Sequence, residues 1–403
     1  AVQAVFDSGV YKGPAKIDLQ LVPENEIDPK IRLEMISGAK TYDLAITEAG
    51  GARQYGGMGL LAPLPAPADW SDFFEGNRNQ HSIGNTIYGY PILADNGVFY
   101  YNEAMVREAG FSGPPKTWDE FWRMAIRMTK DAGGKRADEA GFDPRRVIQY
   151  GLSFKGAPGA GNPWEFTYYL YGNGLHYIEK DYAKSTYQVT VNRPEIVAVL
   201  ERILELKNRY GALPDGFSNY DYDENRQMFA QGRVAMIFDW PSAFVEVFLD
   251  SPQGKNIRIT NLPKGTVNDS GPIGGWSVNA FKDSKNLQEA INVAQALTSK
   301  EGITIFARTQ GSVPPRQSVM TALTAEYKAN NPAVGTVYEV VGRALLTGQE
   351  MDLAQTLTAS KDVVMAAAET LSAVFAGQKQ PRAALDELNV TVEQTLIRNN
   401  YMK

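Results

Sequence analysis

Residues 114–125 read PPKTWDEFWRMA, and no other stretch limits the local fold so tightly. Thr117 and Glu120 stand at capping-box spacing, where a threonine oxygen accepts a backbone N–H and the glutamate reaches back. Trp118, Phe121, Trp122 and Ala125 then recur at intervals of three and four and share one helical face. A helix that opens this way must bury that face. Trp118 and Trp122 are therefore assigned to a core and not to a ligand.

The chain around this helix has 403 residues, too many for one ordinary core and enough for two lobes or domains. Residues 16–22 (KIDLQLV) alternate apolar and polar and predict a strand; 42–47 (YDLAIT) predict a second. Residues 1–10 resemble the end of a helix, so the first strand of that lobe is expected to be missing. Residues 194–210 begin with proline, carry a Leu/Ile stripe and stop at Gly211, which predicts a helix. Helices are also predicted over 286–298 and 300–309, and over 360–397 with a break near 377–381. Residues 156–163 (GAPGAGNP) predict a loop. Strands separated by helical stretches imply α/β layers with a largely parallel sheet.

Several chemistries are disfavoured. Lys and Arg number 40 against 46 Asp and Glu, a net charge of −6, and no long basic run exists, which argues against a nucleic-acid partner. No apolar run approaches the roughly 18–20 residues that span a bilayer. With no cysteine there is no disulfide, thiolate metal site or cysteine nucleophile. His81 and His176 each stand alone, so neither a zinc site nor a serine triad has its spacing. No P-loop or dinucleotide fingerprint appears. A glycosidase-like carboxylate pair is the strongest enzyme alternative, although nothing local singles out such a pair.

Residues 87–121, IYGYPILADNGVFYYNEAMVREAGFSGPPKTWDEF, carry the most specific signal. Gly89, Pro91, Asp95, the apolar run 98–101 with Asn102, Gly110 and residues 114–120 occur in an order that resembles the family 1 extracellular solute-binding proteins of ABC importers. That group includes the maltose- and glycerophosphate-binding proteins. Residues 228–244 (MFAQGRVAMIFDWPSAF), with Arg233 where the family pattern has lysine, and 274–281 (GGWSVNAF) extend the resemblance. Matches are sparse over 130–160 and 325–370.

The resemblance implies an α/β, two-lobed periplasmic-binding-protein fold of class II type, with the ligand in a cleft between lobes joined by crossing segments. The expected lobes are 1–94 plus 278–325 and 95–277 plus 326–403. It implies a monomer that captures a sugar or polyol, passes it to transmembrane permease subunits, and works in the periplasm or at the extracellular face, free or lipid-anchored. No catalytic residue, cofactor or metal is implied. A binder of a phosphorylated polyol such as glycerophosphate is the alternative ligand class.

The same resemblance places the candidate ligand residues. Asp95, with Asn96 beside it, falls where the chain first passes between lobes, and its carboxylate suits sugar hydroxyls. Glu48 and Arg53 lie in the loop after the 42–47 strand. Trp276 is flanked by glycines and offers a ring on which the C–H face of a sugar can lie. Asp239 and Trp240 follow an apolar strand at its carboxyl end, where ligands of open α/β sheets bind. Trp164 and Arg316 complete the set.

Overall fold

The computed structural model describes residues 1–22, 24–159, 161–181, 186–350 and 360–402. The chain forms two compact units. One takes in Ala1–Asp95 and Ile273–Tyr338; the other takes in Asn96–Pro272 and, among the described residues, 339–350 and 360–402. The chain thus leaves the first unit after Asp95 and re-enters it at Ile273, and residues 326–338 belong to that first unit. The expected lobe that ran to residue 403 includes 351–359 and 403, which lie outside the described residues.

In the first unit the strand Leu44–Glu48 runs antiparallel to the long strand Pro272–Ala280, with Glu48 opposite Trp276. The strand Tyr90–Asn96 pairs with that same long strand. Ile31, Tyr55, Leu61 and Phe281 form a buried hydrophobic cluster in this unit. The predicted helices appear as Leu287–Leu297 and Lys300–Gln310. The second opens on Ser299, whose Oγ accepts from Gly302 N at 3.0 Å.

The second unit is built on Val98–Asn102, a strand buried along its whole length. Met236–Asp239 and Ile257–Thr260 flank it, both antiparallel. The helix Trp118–Met128 lies against this sheet through Trp118 and Phe121, whose rings meet Phe238 at 5.8 and 5.4 Å. Trp122 stacks on Tyr169 at 5.5 Å and 13°. Trp118 is core, as its spacing requires, while Trp122 is partly exposed at the edge of the same cluster. Thr117 Oγ1 accepts from Glu120 N at 3.3 Å, but the Glu120 carboxylate accepts from Lys116 N at 2.7 Å and not from the cap residue itself. Thr117→Ala is expected to cost about 1 kcal/mol, read as a lower urea midpoint at unchanged slope.

Three expectations fail. Residues 16–22 form no strand. Leu19 and Leu21 are 42% and 87% exposed, so the alternation has no buried face and no partner ladder among the described residues. The ladders of Leu44–Glu48 with Pro272–Ala280 and of Val98–Asn102 with its two neighbours are antiparallel, not parallel. The strands that pair lie far apart in the sequence, and no local pattern fixes their polarity. The predicted loop 156–163 ends early, for Gly161–Tyr171 is a helix with every residue buried, and Ala160 lies outside the described residues. Tertiary burial overrides the Gly/Asn/Pro composition there. No helix among the described residues is long and apolar enough to cross a membrane.

Candidate functional site

Two tryptophans share an unusual placement. In Pro272–Ala280 every residue is buried except Trp276, which is partly exposed. In residues 234–241 every residue is buried except Trp240, also partly exposed. A buried strand run that turns out one large ring forgoes part of the burial that ring could supply, roughly 25 cal/mol per Å² of apolar surface.

Trp276 belongs to the first unit. Gly275 precedes it with φ +131°, and a Cβ there would stand 2.6 Å from the Leu93 carbonyl oxygen. Only glycine lets these two backbones approach so closely. Gly275 O accepts from Ala49 N at 2.7 Å, so the segment after Glu48 is pinned to the same strand. Glu48 is partly exposed beside Trp276, and Asp95 is partly exposed near the end of its own strand. Gly89 is needed for a similar reason: a Cβ there would meet Asn279 Oδ1 at 2.4 Å.

The two arginines placed in the first unit hold protein. Arg53 Nε donates to Ser82 O at 2.8 Å, and the guanidinium also reaches Asn79 O. Arg316 is 2% exposed. Its Nε donates to Thr298 O at 2.7 Å, its Nη1 to Asp69 Oδ2 at 2.9 Å, and its guanidinium lies 4.0 Å from the Phe73 ring centroid. These contacts clamp the loop 69–73.

The remaining candidates lie in the second unit. Asn96 is buried and donates to Gly271 O at 3.1 Å, and Gly97 N donates to Pro272 O at 3.0 Å, so the outgoing and returning strands are tied together. Trp164 is 8% exposed and meets Trp240 edge-on at 5.4 Å. Asp239 is buried and takes a two-pronged ion pair from Arg226, with Nε to Oδ2 and Nη2 to Oδ1 both at 2.9 Å. Its Oδ1 also accepts from Trp240 N at 2.7 Å. The Trp240 indole N–H donates to Tyr222 Oη at 2.9 Å.

Sequence reasoning missed the buried charges around this tryptophan. Lys155 Nζ sits 2.6 Å from Glu165 Oε2, with both side chains 0% exposed. Burial, against the pull of Lys155, pushes the Glu165 carboxyl up to about 7. A signal did exist: Glu165 is the sole charged residue between Gly156 and Ile178. Among the described residues no group of three or more His, Asp or Glu could hold a metal ion.

The family model for bacterial extracellular solute-binding proteins matches residues 11–336, and the chain belongs to this family. Among curated proteins it is similar to a probable ABC transporter-binding protein of Deinococcus radiodurans, 27% identical over 286 residues. That match covers 70% of this chain and 59% of the relative's length. It is also similar to the mannitol-binding protein of Pseudomonas aeruginosa, 24% identical over 335 residues, covering 80% of this chain and 71% of the other. Among solved structures, maltose-bound MalE3 of T. maritima superposes with a TM-score of 0.79 at 19% identity, covering 97% of this chain and 94% of that one. The fold is that of the two-lobed solute-binding proteins.

Proposed function

We propose that this chain is the substrate-binding component of an ABC importer and captures a neutral sugar or polyol for a membrane permease outside the cytoplasm. One observation carries the reading: each unit turns a single tryptophan out of an otherwise buried strand run, Trp276 in one and Trp240 in the other. Partly exposed carboxylates, Glu48 and Asp95, lie on the strands of the first unit and suit hydroxyl donors. The mannitol-binding relative and the maltose-bound structure point to the same ligand class. An anionic solute would call for converging cations. Arg53 and Arg316 donate instead to carbonyls and to Asp69, which favours a neutral ligand over a phosphorylated one.

Titration calorimetry against D-mannitol, erythritol, maltose and glycerol 3-phosphate tests this. At least one neutral compound is expected to bind near micromolar affinity, about 8 kcal/mol. Asp95→Ala is expected to weaken it by about 1.5–3 kcal/mol, the worth of a hydrogen bond to a charged group. Trp276→Ala is expected to weaken it by about tenfold or more, some 1.4 kcal/mol. Binding confined to the phosphorylated compound would overturn the neutral-ligand reading; unchanged affinity in both variants would overturn the residue assignment.

Binding without catalysis completes the proposal. An aryl glycoside should be left unhydrolysed, whereas a glycosidase would release the aryl group. Ligand at a hundred times its Kd should stabilise the fold by about 2.7 kcal/mol, and a scaffolding protein would show no such shift. Closure on the solute, which the family resemblance implies, would appear in small-angle scattering as a smaller radius of gyration with ligand.

A further inference from the structure

The helix Tyr222–Ala230 presents two residues one turn apart, Tyr222 and Arg226, and both are engaged around Trp240. The Arg226 guanidinium forks onto Asp239 through two 2.9 Å bonds, and Asp239 Oδ1 holds the Trp240 backbone N–H at 2.7 Å. The same guanidinium lies 5.2 Å from the Tyr222 ring centroid, and Tyr222 Oη accepts the indole N–H at 2.9 Å. It is also 3.8 Å from Glu246, in the π-helix Phe244–Phe248 that follows Trp240. Arg226 is therefore within one contact of the backbone of Trp240, of its indole nitrogen and of the segment after it. Trp164 and Tyr168 meet the indole edge-on at 5.4 and 6.2 Å.

We propose that Arg226 is a positioning residue that fixes the orientation of the Trp240 ring, and so sets solute affinity without touching the solute. Its role in affinity rests on the reading that Trp240 meets the ligand; its role in orientation does not. A flat fork is required, since two parallel bonds fix the Asp239 plane where a point charge would let it turn. Because an indole that samples several tilts must be reordered on binding, loosening it weakens the complex even when no contact is deleted.

The experiment uses the full chain labelled with 5-fluorotryptophan, with the Trp240 resonance assigned by its loss in Trp240→Phe. Wild type is expected to give one narrow fluorine line for Trp240. Arg226→Gln should split, broaden or shift that line and raise the Kd for the tightest of D-mannitol, erythritol and maltose by about tenfold, or 1.4 kcal/mol. Arg226→Lys, which keeps the charge and loses the fork, should not restore the line. An unchanged line and unchanged Kd in Arg226→Gln, with binding lost in Trp240→Ala, would overturn the proposal while leaving the ligand reading intact. Wild-type binding in Trp240→Ala would instead remove the ligand role of Trp240, and the fluorine line alone would then decide the positioning claim. Should Arg226→Gln fail to fold, Arg226→Lys takes its place, and an unchanged line with unchanged Kd there overturns the proposal.

Discussion

Lys155→Met is expected to destabilise the folded chain by about 3–5 kcal/mol near pH 8, because it removes the cation in contact with a buried carboxyl group. Lys155 and Glu165 are both fully buried and in direct contact. The Lys155 ammonium also donates to Phe238 O at 3.0 Å and lies 5.0 Å from the Tyr222 ring centroid. Without it, Glu165 keeps only the Lys155 backbone N–H at 3.1 Å, and its Oε1 already has no partner among the described residues. The carboxyl then stays neutral to still higher pH. An acid whose folded pKa is raised binds its proton more tightly in the folded state, so its stabilisation is full below the unfolded value of 4.5. That stabilisation is lost as pH rises through the folded value, about 7 in the wild type. The variant's deficit should therefore be largest near pH 8 and shrink towards pH 5. Adding Glu165→Leu should recover most of it. Urea titrations at both pH values check this, and a loss under about 1 kcal/mol at pH 8 would contradict the burial argument.

Acid should act on the other unit through His81. The ring is fully buried, and neither nitrogen has a hydrogen-bond partner among the described residues. Burial first, and the nearby Arg53 charge second, hold its pKa down to about 3 against an ordinary 6.5. Here the sign is opposite to that of Glu165. A base with a depressed folded pKa is protonated first in the unfolded chain, so its stabilisation is complete above pH 6.5 and is lost as pH falls towards 3. The slope reaches about 1.4 kcal/mol per pH unit, roughly 5 kcal/mol across the window. His81→Leu should flatten stability between pH 6.5 and 4 by close to one proton. Parallel curves for the two proteins would show that His81 does not titrate in the way its burial dictates.

How far the fold could be read from residues alone depended on the range of the interaction. Thr117, the Trp118–Phe121–Trp122 stripe and the proline that opens 194–208 all act within one or two turns. Each became the predicted helix. Residues 16–22 show the converse, for a strand exists only through a partner, and alternation without one leaves Leu19 and Leu21 in solvent. The helix Gly161–Tyr171 lies between the cases. Its Gly-Asn-Pro start reads as a loop, and only burial on all sides makes it a helix.

The candidate site divides along the same line. The composite from Gly89 to Glu120 was enough by itself to place the chain in its family, because the order of turn, strand, cap and helix is carried by local chemistry. Sequence also picked out both tryptophans that stand partly exposed in buried runs, Trp240 and Trp276. What each charged neighbour does was decided by tertiary structure alone. Arg316 clamps Asp69 from 247 positions away, Asp239 is held by an arginine on another element, and Lys155 finds Glu165 across a turn of chain. The reason is physical: a side chain's shape and local spacing are written next to it, whereas the partner of a buried charge is chosen by which distant segment folds against it.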